Sequence, residues 1–205
     1  MNGIKLLNYK VGALQTNCYI LSKGSNALIF DAGDSAEFIL EKILELKLKP
    51  LAIFATHGHF DHVMAVGEIQ LSFDIPFYIS KEDLFLLDRA GETAEFFLKK
   101  EFPIIAPKNI KDLKDGKLKV GLFTFEVIRT PGHTPGSTCF KFKDFVLTGD
   151  TLFKGAVGRY DFSYSNKKDL IQSINRLYKF SGDTVVYPGH EDATTIGQEK
   201  KNPIL

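Results

Sequence analysis

Apolar residues in the first part of the chain come in short runs broken by turn residues. CYILSK and ALIFDAG flank a Gly-Ser-Asn turn at Gly24 to Asn26, which predicts a β-hairpin. From Ser35 the period changes. Phe38, Ile39, Ile43, Leu44, Leu46 and Leu48 recur at near-helical spacing, Ser35 is placed to cap, and Pro50 closes the segment. LAIFAT, Leu51 to Thr56, is the short apolar run of a buried strand that delivers a polar loop. A helix from about Asp61 or His62 to Phe73 and a strand at Phe77 to Ile79 are expected next. Lys81 to Phe102 has helical spacing interrupted at Gly91.

The second part returns to strands. LKVGLFTFEVIRT, GSTCFKFK and DFVLTGD alternate as antiparallel strands do, before a helix from about Lys167 to Phe180 and a strand TVVYP. Sheets in both halves need helices to cover them, and this suggests one domain spanning residues 1–205. A four-layer αββα sandwich fits, although periodicity alone leaves other α/β arrangements open.

Composition narrows the function classes. Lys plus Arg number 26 and Asp plus Glu 25, so no net field draws the protein to nucleic acid or to an anionic membrane. The basic stretch KDLKDGKLK, Lys111 to Lys119, reads as a solvated turn. The start, MNGIKLLNYKVGALQTNCY, lacks a signal-peptide pattern, and no run of about 18 apolar residues occurs, so a soluble cytoplasmic protein is expected. Cys18 and Cys139 stand far apart among apolar neighbours, as reduced core cysteines do.

The chemistry is concentrated in ATHGHFDH, Ala55 to His62. In extended backbone, side chains two apart share a face, so His57, His59 and Asp61 can converge beyond the strand end while His62 reaches a neighbouring point. Three imidazoles and a carboxylate within six residues are most simply reconciled by neutral rings around a divalent cation. His133, in TPGHTPGS, and His190, in VVYPGHED, occupy tight loops after strands, and Asp150 ends the run FVLTGD. All 5 histidines of the chain therefore lie in strand-to-loop contexts.

This series resembles the metallo-β-lactamase superfamily, and within it the glyoxalase II-like hydroxyacylglutathione hydrolases. The likeness runs through NCYIL at Asn17 to Leu21, FDAG at Phe30 to Gly33, GDTLF at Gly149 to Phe153 and VYPGH at Val186 to His190. It implies a first metal held by His57, His59 and His133, a second held by Asp61, His62 and His190, and Asp150 bridging. Two divalent ions are implied, zinc first, with iron or manganese also accommodated by His and Asp. Asp150 stands where class B β-lactamases usually carry Cys, which argues against antibiotic hydrolysis.

The implied reaction is hydrolysis of a small-molecule acyl thioester such as S-lactoylglutathione, with a metal-bridging hydroxide as nucleophile and Asp61 orienting it. Arg159 stands where longer relatives carry a basic glutathione contact, and is a candidate for a substrate carboxylate. Asp161 and Asp192 occupy slots where those relatives tend to have tyrosines. The longer enzymes continue into a C-terminal helical domain; here ATTIGQEKKNPIL follows Asp192, as in short family members.

The alternatives from the same resemblance are a mononuclear iron persulfide dioxygenase, using His57, His133 and Asp150, and a lactonase or phosphoesterase. An RNA-processing nuclease would need a basic surface that the charge balance does not provide. Phe60 is expected either to line the pocket or to pack the ligand loop. Phe85, Phe96, Phe97 and Phe102 are expected in the core, with a cover over the site or a dimer surface as the other roles. Sequence leaves the oligomeric state open.

Overall fold

The computed structural model describes residues 3–100, 103–201 and 203. Among these, the first sheet follows chain order: β1 (Lys5–Val11), β2 (Thr16–Lys23), β3 (Asn26–Phe30), β4 (Lys49–Phe54), β5 (Phe77–Ile79) and β6 (Ile110–Asp112). The β1–β2 and β2–β3 pairs are antiparallel, and β3 through β6 run parallel. The later strands are β7 (Gly116–Val120), β8 (Phe123–Arg129), β9 (Thr138–Lys141), β10 (Phe145–Gly149), β11 (Leu152–Phe153), β12 (Ala156–Val157), β13 (Val185–Pro188) and β14 (Thr194–Thr195). All but the β11–β12 ribbon form the second sheet, ordered β14-β13-β10-β9-β8-β7 with β10 and β13 parallel.

Both sheets are buried on two faces, and their side chains divide by alternation into three apolar layers. Tyr19, Leu21, Leu28, Phe30 and Phe54 of the first sheet meet Phe125, Val127, Phe140 and Leu147 of the second. The intervening Ile20, Ile29 and Ile53 point outward, against α1 (Ala36–Glu45), α2 (Phe60–Val63), α3 (Val66–Ser72) and α5 (Ala90–Leu98), which follows α4 (Leu84–Asp88). On the far side Ile128, Cys139 and Val146 pack on Leu177 of α6 (Lys167–Leu177) and Ile196 of α7 (Ile196–Lys201). The αββα sandwich expected from the sequence is thus observed as one domain.

Several local expectations need correction. Ser35 makes no side-chain cap to α1; its backbone sits at φ 57 and its polar groups face Asp34. Pro50 lies inside β4 at a register shift rather than closing the helix. The 81–102 segment breaks at Arg89, between α4 and α5, while Gly91 is helical; Phe102 lies outside the described residues. Lys111 to Lys119 is more than a turn, since it ends β6 and opens β7.

Phe85, Phe96 and Phe97 are not core residues: they are 40%, 67% and 49% exposed. Cys18 and Cys139 are fully buried and free, as expected. Burial pushes the Cys139 thiol up to about 11, too high for a thiolate nucleophile. No helix among the described residues is long and apolar enough to cross a membrane.

Candidate metal centre

Strand ends from both sheets deliver the polar cluster to one edge of the sandwich. β4 runs into His57 and His59, the loop after β8 carries His133, and Asp150 and His190 follow β10 and β13. Backbone bonds lock these loops across the layers, from Thr138 N to Thr56 O at 2.8 Å and from Asn17 N to Gly189 O at 2.7 Å. Asn17 and Tyr19 also donate side-chain hydrogen bonds to Pro188 O, at 3.0 and 2.6 Å, which gives the NCYIL motif a task in placing His190.

His57, His59 and Asp61 do not share one face. The chain turns helical at Phe60, so Asp61 and His62 belong to α2 and point to a second locus. The donor atoms form three overlapping groups: His57 with His59 and His133, Asp61 with His62 and His190, and His57 with His62 and Asp150. Asp150 stands between the first two, with Oδ2 at 3.7 Å from His133 Nε2 and 3.8 Å from His190 Nε2, and Oδ1 at 3.6 Å from His62 Nε2.

The outward ring nitrogens determine what the inward ones carry. Thr56 Oγ1 donates to Asp31 Oδ2 at 2.9 Å, so it accepts from His57 Nδ1 at 3.1 Å. His133 Nδ1 faces the carbonyl of Arg159 at 2.8 Å and His190 Nδ1 that of Leu14 at 3.1 Å; a carbonyl only accepts, so both are N–H donors. His62 Nδ1 stands 3.2 Å from the carboxylate of Asp31. His57, His133 and His190 thus hold Nδ1 on an outer partner and turn Nε2 inward, and His62 does the same beside Asp31. His59 is reversed: its Nε2 meets the Tyr164 hydroxyl at 2.8 Å and its Nδ1 points in. Such outer partners set tautomer and ring orientation in metal centres.

His59 Nδ1 then lies 3.0 Å from His57 Nε2 and 3.1 Å from His133 Nε2. Three imidazole nitrogens grouped this closely are a donor set that can close on a cation. A tetrahedral ion at about 2.0–2.1 Å from each nitrogen places its ligands about 3.3 Å apart, so the residues fit a metal. Both ring nitrogens of His62 and Oδ1 of Asp150 are buried without a hydrogen-bond partner among the described residues. Such orphaned groups cost about 1–3 kcal/mol each when nothing else satisfies them.

Electrostatics separates the two loci. Burial, reinforced by the neighbouring imidazoles, holds His57 well below the ordinary histidine range, and burial with His133 holds His59 down to about 3. Burial also opposes charge on His62, but Asp61, Asp31 and Asp150 outweigh it and raise that ring to about 10. At His190 burial is likewise overcome, by the Asp61 hydrogen bond and Asp150, and the pKa rises. Burial of Asp61 is outweighed by His62 and His190, which hold its carboxyl far below the carboxylate range. Asp61 Oδ2 accepts from Thr16 Oγ1 at 3.0 Å and lies 3.2 Å from His190 Nε2.

Close backbone approach completes the centre. A Cβ on Gly33, in FDAG, would fall 1.6 Å from the carbonyl oxygen of Asp61, and one on Gly189 would fall 2.3 Å from Asp150 Oδ1. The supporting residues Asp31, Thr56, Thr16, Asp83 and Tyr164 were not singled out from sequence. Only Asp31 gave a signal, as the lone acid ending the run ALIF.

A cavity of about 280 Å3 opens on the cluster and reaches Phe60, Phe97, Arg159 and Tyr164. Phe60 fills both expected roles: it is buried, lines this cavity, and stacks on Phe97 with centroids 5.9 Å apart. Arg159 is at the rim, exposed, in a two-point pair with Asp161 at 3.0 and 2.9 Å.

The chain is similar over its length to known proteins. It is 37% identical to a hydroxyacylglutathione hydrolase, GloC, of Haemophilus influenzae, covering 95% of each chain. The crystal structure of BLEG-1 B3 metallo-beta-lactamase superposes with TM-score 0.90 at 34% identity, covering 98% of this chain and 99% of that one. TTHA1623 in a di-iron-bound form gives 0.89 at 36%, covering 97% and 100%. The profile of the Metallo-beta-lactamase superfamily matches residues 11–190, from β1 through His190, and the chain belongs to that superfamily.

Proposed function

We propose that this metal-dependent hydrolase cleaves acyl thioesters, with His57, His59 and His133 holding one divalent ion, Asp61, His62 and His190 a second, and Asp150 between them. The observation that carries the reading is the convergence of His57 Nε2 and His133 Nε2 on His59 Nδ1, at 3.0 and 3.1 Å, beside the unpartnered Asp150 Oδ1 and His62 nitrogens. Zinc is the first expectation for the metal, and the di-iron relative supports iron as the next.

Divalent ions at these positions supply Lewis acidity and lower the pKa of coordinated water toward neutrality. The protein's own groups set the rest. Thr16 fixes the Asp61 carboxylate, and Asp61 borders the cavity as a group that orients the attacking water. His133 and His190 are pinned by carbonyls and Asp31 orients His62, so these rings do not swing to serve as acids.

Among the described residues, the remaining cavity lining offers no lysine, cysteine or uncommitted histidine. Burial raises the pKa of Tyr164, whose hydroxyl is engaged with His59. A leaving group must therefore depart without a strong acid. A thiol of pKa about 8.5 leaves as thiolate, whereas an amine would need a proton, and this favours thioesters over amides. The similarity to GloC supports the same choice.

The test is anaerobic hydrolysis of S-lactoylglutathione by protein reconstituted separately with zinc, iron or manganese, beside Asp150→Asn. The expected result is metal-dependent thiol release that the substitution lowers by at least 100-fold, the order of one lost electrostatic stabiliser. Absence of thiol release from folded, metal-loaded protein, with S-lactoylglutathione and with simpler acyl thioesters alike, would refute the reading. Oxygen uptake with a persulfide would then favour the mononuclear iron dioxygenase, and turnover of a β-lactam would favour the activity named for BLEG-1.

A further inference from the structure

We propose that the cavity beside the metal cluster recognises an uncharged hydrocarbon group of the substrate, aromatic or aliphatic, so that the thioesters this chain cleaves best are apolar ones rather than those of glutathione. This rests on the hydrolase reading above and adds the substrate class.

The apolar part of the cavity lining is Leu14, Phe60, Phe97, Phe153, Val157 and Phe162. They come from five separate parts of the fold: the β1–β2 turn, α2, α5, the β11–β12 ribbon and the segment before α6. Phe60 and Phe97 stack at 20°, and Phe96 sets its edge on Phe97 at 5.3 Å, so the apolar surface runs out of the cavity to the exterior. Leu14, Phe96 and Phe97 remain 43%, 67% and 49% exposed. A contiguous aromatic surface of this kind, leading into a polar reaction centre, is a mark of a binding site.

Charge recognition is weak by comparison. The thiol half of a glutathione thioester bears two carboxylates and an ammonium group. Among the described residues lining the cavity, Arg159 is the one charged side chain outside the His/Asp cluster, and both its side-chain hydrogen bonds go to Asp161. Its guanidinium carbon also lies over the Phe162 ring, 4.4 Å from the centroid. At about 280 Å3 the cavity sits just under the range of about 300–1,000 Å3 typical of pockets enclosing a whole drug-sized ligand. It suits a phenyl or short alkyl group better than a tripeptide.

The hydrocarbon could be carried on the acyl side or on the thiol side, and two matched series separate them. The first holds the thiol as N-acetylcysteamine and varies the acyl group through acetyl, butanoyl, hexanoyl, benzoyl and lactoyl. The second holds an acetyl group and lengthens an S-alkyl thiol. Burial of each methylene predicts a rise in kcat/KM of about fourfold along one of the two series. Phe97→Ala should flatten that rise, and Phe97→Leu should keep most of it.

Calorimetry on metal-free protein adds a readout independent of turnover: S-hexyl-N-acetylcysteamine should bind tighter than the S-ethyl analogue by about the same factor per methylene. Flat series on both sides with no chain-length effect in calorimetry, or a lactoyl or glutathionyl thioester preferred over the hexanoyl one, would overturn the inference. If no thioester in either series is cleaved, nor S-lactoylglutathione, it is the hydrolase reading that fails. The calorimetric comparison then still decides whether the cavity takes an apolar ligand.

Discussion

Asp83 is the buried acid on which the first histidine locus depends. It closes the single 3₁₀ turn Lys81–Asp83, remote in sequence from both ligand loops, yet its Oδ2 accepts from Gly58 N at 2.8 Å and Thr134 Oγ1 at 2.7 Å, and its Oδ1 from Gly136 N at 2.6 Å. One carboxylate thus joins the loop of His57 and His59 to the loop of His133. A Cβ on Gly136 would come 2.5 Å from Asp83 Cγ, so the clamp also requires that glycine. Burial pushes the carboxyl pKa up against these three donors.

Asp83→Ala leaves two interior N–H groups without an acceptor, while Thr134 can still turn to Ser137 Oγ at 2.8 Å. At about 1–3 kcal/mol for each orphaned donor, the loss of stability is about 2–6 kcal/mol, a large part of the usual 5–15. Asp83→Asn keeps the volume but turns an NH2 group toward one of the donors. It should fold, at a cost of about 1.5–3 kcal/mol, and lower metal affinity at the His57/His59/His133 locus by about 10- to 100-fold, the usual effect of losing an outer partner. Urea denaturation of metal-free protein and chelator competition with cobalt, followed by absorption, measure the two effects. Unchanged stability and unchanged affinity in Asp83→Asn would refute the clamp.

Other predictions are narrower. Gly189→Ala pushes a methyl group into Asp150 Oδ1 and within 2.8 Å of His62 Cε1, so metal analysis should show loss of bound ion while circular dichroism stays native; full occupancy would contradict the packing argument. Metal binding requires unprotonated ligands, and protons compete at His62 and His190, whose pKa values are raised, far more than at His57 and His59, whose values are lowered. Stepwise acidification from pH 8 to 5 should therefore empty the Asp61/His62/His190 locus first, and simultaneous loss in a cobalt spectrum would count against it. Asp161→Asn frees Arg159 and should raise kcat/KM for S-lactoylglutathione by about 2- to 10-fold, whereas a fall would show that the pair itself positions substrate.

The ligand set was legible because its members lie in the polar loops and turns that follow apolar strands, where a polar side chain has no core to enter and faces the sheet edge. What the spacing of two in His57, His59 and Asp61 could not reveal was the turn into α2 at Phe60, which sends Asp61 and His62 to the second locus. The supporting roles of Asp31, signalled only as the acid ending ALIF, and of Asp83 were hidden for another reason. Their partners lie 25 to 53 residues away, and an isolated acid near a turn looks like any solvated one. The aromatic residues of the 81–102 segment illustrate the same limit: apolar spacing identifies a face to be covered, and cannot say whether protein or substrate covers it. Phe97 has helical spacing and is nevertheless half exposed at the cavity.

The two-ion centre is tested most directly by how many ions turnover requires. Metal-free protein titrated anaerobically with zinc, with thiol release from a thioester followed at each step, should gain activity up to two equivalents per chain and then plateau. Saturation at one equivalent, or activity appearing only with iron and oxygen, would contradict the two-ion hydrolase built from His57, His59, Asp61, His62, His133, Asp150 and His190.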